Sequence, residues 1–319
     1  MAKPTSRAQD LFWRLEAFAF DLFAGVMRLL PVDAASDFGA WLLGVVGPRT
    51  PANRTAVRNL RIAFPDAPAA EINRLRKAQW EEVGRFFAEF PIVDRIVRDP
   101  SRLEVVNRER LLALAEGPAV LISGHFSNFE IMAAAIVQAG VRCQVTYRAA
   151  NNPYFDRRIR ENRARYGVRL FAPKGTEGAR EMMRAFGRGE SVALLNDQKF
   201  NGGVAAPFFG VTAHTAPGPS SLALKFGVPL LPMSVQRVSK ARFRVVVHEP
   251  IVLADTGDRH ADIATGVRRI NAFMEDRVRE RPTEWFWLHK RWPREVYKGE
   301  ASRSPERSER GRSSETGRS

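Results

Sequence analysis

The first third of the chain carries helical periodicity in its apolar positions. Residues 11–30 (LFWRLEAFAFDLFAGVMRLL) form one helical stretch, and helical character resumes over 34–46 before stopping at Gly47-Pro48. Residues 53–64 run helically into the Pro65-Asp66-Ala67-Pro68 break. From 69 to about 90, Leu75, Trp80, Val83, Phe86, Phe87 and Phe90 fall on apolar stripes. From about 103 the pattern becomes an alternation. Strands are expected at 119–122, 143–147, 169–171, 192–195, 229–235 and 243–247. Helices are expected at 131–139, 153–166, 176–186, 217–226 and 261–279. Such alternation predicts an α/β fold with a parallel or mixed sheet covered by helices. The expected organisation is a helical, membrane-associating region over 1–98, an α/β domain over 99–298, and a tail over 299–319. The tail is Ser-, Arg-, Glu- and Gly-rich, cannot bury apolar area, and should be disordered.

Charge sharpens this picture. The chain of 319 residues has a formal net charge of +15, of which the tail supplies only +1 (five Arg against four Glu). The folded part is therefore basic and suits an anionic partner: a membrane face, an acidic protein or a nucleic acid. Residues 11–30 are long enough to cross a bilayer, but Arg14, Glu16, Asp21 and Arg28 interrupt them. An interfacial amphipathic helix is the preferred reading, then a tilted single span, then a core-packing helix. Cys143, the only cysteine, lies in an expected strand, which excludes an internal disulfide framework and points to a buried, inert thiol.

The most informative stretch is AVLISGHFSNFE, residues 119–130. An apolar strand stops at Ser123-Gly124, His125 follows, and Glu130 opens an Ala-rich helix for which Asn128 is the expected N-cap. This puts His125 at the C-terminal edge of a strand, where open α/β sheets bind ligands. Glu130 is placed to reach back to one imidazole nitrogen. A neutral histidine held in one tautomer by a carboxylate is a general base for a hydroxyl or thiol proton. Taken alone, a histidine at a strand end is more often a cap or core residue. Further stretches shift the balance: YRAANNPYFD with Arg148 at a strand end, the Arg-rich RRIRENRARYGVR with Arg160, Arg163 and Arg165, LLNDQKFNGGVAAPFFG with Asp197 and Gln198, and EWFWLHKRWP near the C-terminus.

Together, in this order, these segments resemble the lipid A biosynthesis acyltransferase family, the late lauroyl and myristoyl transferases of the lysophospholipid-acyltransferase-like superfamily. HFSNFE is similar to that family's His-x4-Asp/Glu signature, and the resemblance extends from the helical N-terminus to about Trp292. Ala149 stands where the family often has proline. The resemblance implies a glycerolipid-acyltransferase-like fold and an acyltransferase domain over 99–298. It implies transfer of a fatty acyl chain from a thioester, with acyl carrier protein the expected donor and acyl-CoA the alternative, to a hydroxyl of a lipid A precursor. His125 would be the base and Glu130 its orienting partner. Arg163 and Asp197 would support the site with Gln198, and Arg148 would contact a phosphate or carboxylate. The expected place is the cytoplasmic face of the bacterial inner membrane, peripheral or single-span.

No G-x-S-x-G elbow is present, so direct transfer is expected without an acyl-enzyme. His-x4-Glu is not a metal signature, and neither a metal nor a cofactor is required. A lysophospholipid, ornithine-lipid or glycolipid acceptor is the enzymatic alternative. A basic nucleic-acid-binding protein is the non-enzymatic one. Against it, Arg and Lys are interleaved with Asp and Glu, and no zinc-finger, RNP or basic-zipper pattern appears.

Overall fold

The structure is a computed structural model that describes residues 6–301 except 170, 174 and 175. The expected disordered tail lies mostly outside these residues. Its first positions close the terminal helix instead.

Helices α1 (Arg7–Leu29), α2 (Val32–Val46), α3 (Pro51–Ala63), α4 (Ala69–Glu89) and α5 (Val93–Arg98) build the N-terminal region. There follow β1 (Leu103–Val106), α6 (Glu109–Leu112), β2 (Val120–Ser123), α7 (Glu130–Gln138), β3 (Cys143–Tyr147), α8 (Pro153–Ala164), β4 (Phe171–Pro173), α9 (Thr176–Gly187) and β5 (Ser191–Leu195). The remainder is β6 (Val204–Phe208), β7 (Val211–Thr215), α10 (Gly218–Phe226), β8 (Leu230–Ser239), β9 (Arg242–Val247), α11 (Arg259–Glu280) and α12 (Arg294–Ala301).

Among the described residues, seven strands form one sheet in the order β1-β9-β8-β2-β5-β3-β4. The pairs β2·β5, β2·β8, β3·β5, β3·β4 and β1·β9 are parallel, and β8·β9 is antiparallel. The sheet is thus mixed and flanked by helices. Strand β2 is central and buried along its whole length, as its unbroken apolar run requires when helices cover both faces. One feature escaped the sequence. Residues 204–215, outside every expected strand, form the β6–β7 antiparallel hairpin, turning at Phe209 (φ 53°) and Gly210 (φ 70°). Phe208 and Phe209 pack as core against Trp285, Trp287 and Trp292.

Helix α1 settles what the interrupting charges do. Glu16 accepts from Asn152, Asp21 pairs with Arg158, and Arg28 pairs with Asp94, so these charges face the protein. Leu11, Leu15, Phe18, Leu22, Val26 and Leu29 line the opposite, exposed face, Leu22 at 63% and Leu29 at 87%. No helix among the described residues is long and apolar enough to cross a membrane.

Candidate active site

Parallel strands β2 and β5 end side by side, with Ser123 in register with Leu195. The two residues that follow each strand therefore meet. His125 donates its backbone N–H to Asp197 Oδ2 at 2.8 Å, and its ring Nδ1 lies 2.7 Å from Asp197 Oδ1. Gly124 makes the approach possible: a Cβ there would sit 2.8 Å from the Phe126 ring and 3.2 Å from Asp197 Oδ2. Asp197 is 1% exposed, and Trp285 Nε1–H completes its shell, donating to Oδ2 at 2.7 Å. Burial by itself would raise this carboxyl. The His125 charge and hydrogen bonds, with His289 behind them, outweigh burial and hold it well below the ordinary carboxylate range. An ionised Asp197 can only accept, so the proton of neutral His125 sits on Nδ1 and Nε2 carries the lone pair.

Glu130 does not take the role expected of it. It is 3% exposed, and Arg163 grips it with two bonds, Nε to Oε2 at 3.0 Å and Nη2 to Oε1 at 2.6 Å. The Tyr166 hydroxyl adds a third, to Oε2 at 2.5 Å. The five-residue spacing places Glu130 inside the first turn of α7, turned toward α8, while the adjoining strand end brings Asp197 to the imidazole. The expected His125–Glu130 contact is replaced by His125–Asp197. Arg163 is raised in basicity: burial opposes this, but the Glu130 carboxylate and its hydrogen bonds prevail. Asn128 is not the helix cap either. It donates to Glu89 Oε2 at 2.9 Å, and Phe129 occupies the cap position.

The loop between β2 and α7 is anchored from beneath by a buried ionic cluster. Arg237 of β8 binds Glu82 and Glu89 of α4 at 2.8 and 2.6 Å. Ser127, at φ 41°, donates its hydroxyl to Glu82 at 2.6 Å and its backbone N–H to the Glu284 carbonyl at 2.6 Å. A left-handed Ser costs free energy and persists only where its surroundings demand it. The C-terminal aromatic segment closes the loop from the other side. Phe286 N–H donates to the His125 carbonyl at 3.1 Å, and Phe126 bridges Trp285.

Nε2 of His125 lies 3.4 Å from the Gln198 carboxamide nitrogen. Phe129 meets the imidazole edge-on at 5.0 Å, and His289 stands with its ring 6.2 Å away. Burial pushes His289 down to about 4, which leaves it neutral near pH 7. Arg148 is exposed at the end of β3 with no hydrogen bond or ion pair among the described residues. Cys143 is buried and its thiol is pushed up by that burial, consistent with an inert side chain. Beside the Glu130–Arg163 pair, an apolar cavity opens between α7 and the sheet. Its volume is only about 70 Å³, and it is walled by Leu121, Met132, Ile136, Val145, Ala193 and Met233.

Sequence reasoning missed the parts played by Trp285, Glu82, Glu89, Arg237 and Tyr166. The one usable signal was in α4, where Glu82 and Glu89 interrupt the stripe of Trp80, Val83 and Phe86.

The sheet thus presents a carboxylate-held imidazole at adjacent strand ends, where open α/β sheets bind ligands, next to a small apolar cavity. Residues 12–294 match the model of the bacterial lipid A biosynthesis acyltransferases, and the chain belongs to that family. The protein is accordingly an acyltransferase, and the non-enzymatic reading gives way. A search of curated proteins finds no match.

Proposed function

We propose that the protein transfers a fatty acyl chain from a thioester to a hydroxyl of a lipid A precursor, with His125 as general base and acyl carrier protein as donor. The observation that carries this reading is the His125–Asp197 contact, which leaves Nε2 as the basic nitrogen. Nε2 takes the acceptor's hydroxyl proton as its oxygen attacks the thioester carbon. The C–O bond forms, the C–S bond breaks, and the imidazolium returns the proton to the departing thiolate. Asp197 orients the ring and offsets the imidazolium charge; base assistance of this kind contributes about 10²–10⁴-fold. Two features favour direct transfer: the sequence lacks a G-x-S-x-G elbow, and the one thiol, Cys143, is buried.

The small apolar cavity beside Glu130 and Arg163 offers apolar surface for part of an acyl chain. Exposed Arg148 suits a phosphate of the acceptor, since guanidinium donates two parallel hydrogen bonds to such groups. The α1 stripe supports peripheral docking on an anionic bilayer at the cytoplasmic face of the inner membrane, with the basic folded part favouring it.

The test is product analysis with purified protein, comparing acyl carrier protein and CoA thioesters against a phosphorylated glucosamine-disaccharide lipid and a lysophospholipid. Acylation of the disaccharide lipid by the carrier-protein thioester is expected. Product on the lysophospholipid alone would replace the acceptor, and turnover with CoA alone would replace the donor.

A further inference from the structure

We propose that Gln198 is a catalytic residue of this site: its carboxamide N–H donates to the thioester oxygen as that oxygen becomes an oxyanion. The inference rests on the acyl-transfer reading above. It begins from the tautomer. Nδ1 of His125 faces the ionised Asp197 and carries the proton, so Nε2 presents a lone pair. A carboxamide 3.4 Å from that lone pair must offer its NH₂ group, since its carbonyl oxygen would set two acceptors against each other. The donor end of Gln198 is therefore the end aimed at the reacting nitrogen.

An attacking hydroxyl sits about 2.8 Å from Nε2. The carbonyl carbon lies about 3–3.5 Å beyond it in a near-attack arrangement. The Gln198 nitrogen stands 3.4 Å from Nε2, in the space the hydroxyl enters, and its side chain is exposed with no other hydrogen bond among the described residues. When the hydroxyl takes over the contact with Nε2, the displaced exposed side chain is free to turn its N–H to the carbonyl oxygen.

Part of the backbone near the imidazole is already engaged, and the N–H groups of Asn128 and Phe129 ahead of α7, which have no partner among the described residues, stand as rival donors. The N–H of His125 is held by Asp197, that of Phe126 by the Gly124 carbonyl at 2.9 Å, and that of Ser127 by the Glu284 carbonyl. Arg163 spends Nε and Nη2 on Glu130, leaving its Nη1 as a further rival donor. Asp197 and Gln198 are neighbours in the chain, so one strand end would supply both the carboxylate behind the base and the donor in front of it.

The experiment compares steady-state kinetics of the wild type, Gln198→Ala and Gln198→Glu on the thioester and lipid acceptor that the wild type turns over. Gln198→Ala should lower kcat by about 10²–10³-fold with KM for both substrates nearly unchanged, the loss expected for one oxyanion donor. Gln198→Glu, of the same shape but with an acceptor in place of the donor, should be no better. Unfolding midpoints should match wild type, because the side chain is exposed. A wild-type kcat in Gln198→Ala, or an effect confined to KM, would overturn the assignment and leave acyl transfer intact. A wild type inert with every thioester would overturn the acyl-transfer reading and this assignment with it.

Discussion

The imidazole of His125 is held by Asp197, 72 positions further along the chain, at 2.7 Å. Two parallel strands ending in register bring them together, and a glycine ahead of the histidine admits the carboxylate. Glu130, nearer in sequence, serves a different partner.

That division of labour predicts different phenotypes for the two acids. Glu130→Gln leaves the Arg163 guanidinium buried without its counter-charge, and breaking a buried pair in this way costs about 3–5 kcal/mol. Urea unfolding should show the loss, and Glu130→Gln combined with Arg163→Met should lose less than the two single changes added together. Unchanged stability in Glu130→Gln with abolished turnover would return Glu130 to the chemistry.

The exposed face of α1 makes its own prediction. Leu15→Glu with Leu22→Glu replaces two exposed leucines while the opposite face keeps its bonds to α8. Circular dichroism should be unchanged. Sedimentation with anionic vesicles should fall at least about tenfold, since burying one leucine is worth about 1.5–3 kcal/mol. Equal sedimentation would remove α1 as the docking face.

Stability should respond to pH through Glu284. Burial and the neighbouring Glu82 carboxylate push Glu284 up to about 7. The folded chain keeps this proton up to about pH 7, while the unfolded chain releases it near 4.5. The folded state binds more protons in that window, so its stability falls as pH rises through it. Glu284→Gln removes the effect. The unfolding midpoint of the variant relative to wild type should therefore climb between about pH 4.5 and 7 and level off above.

Much of this architecture was legible because periodicity reports burial. The residues 143–147 and 192–195 were read as strands and lie within β3 and β5, and the Asn152-Pro153 start of α8 carries its cap and N1 proline openly. The β6–β7 hairpin was hidden because its Pro207 and flanking glycines look like loop chemistry, and its pairing is decided by packing against α11 and the tryptophans. The site divided along the same line. His125, Asp197, Gln198, Glu130 and Arg163 were all singled out, but who holds whom depended on strand register. A helix-opening Glu130 points toward α8, and nothing local to HFSNFE says so. Nothing in EWFWLHKRWP marks the Trp285 indole, whose N–H bonds the buried Asp197.

The most direct test of the His125–Asp197 account is the kcat for thioester consumption by Asp197→Asn. The variant keeps the shape of the site but allows the other imidazole tautomer, which puts the proton on Nε2 where the base is needed. Turnover should fall by about 10²–10⁴-fold, approaching that of His125→Ala, with a wild-type circular dichroism spectrum. Wild-type turnover in Asp197→Asn would contradict the account and leave His125 to act without the carboxylate that the fold brings to it.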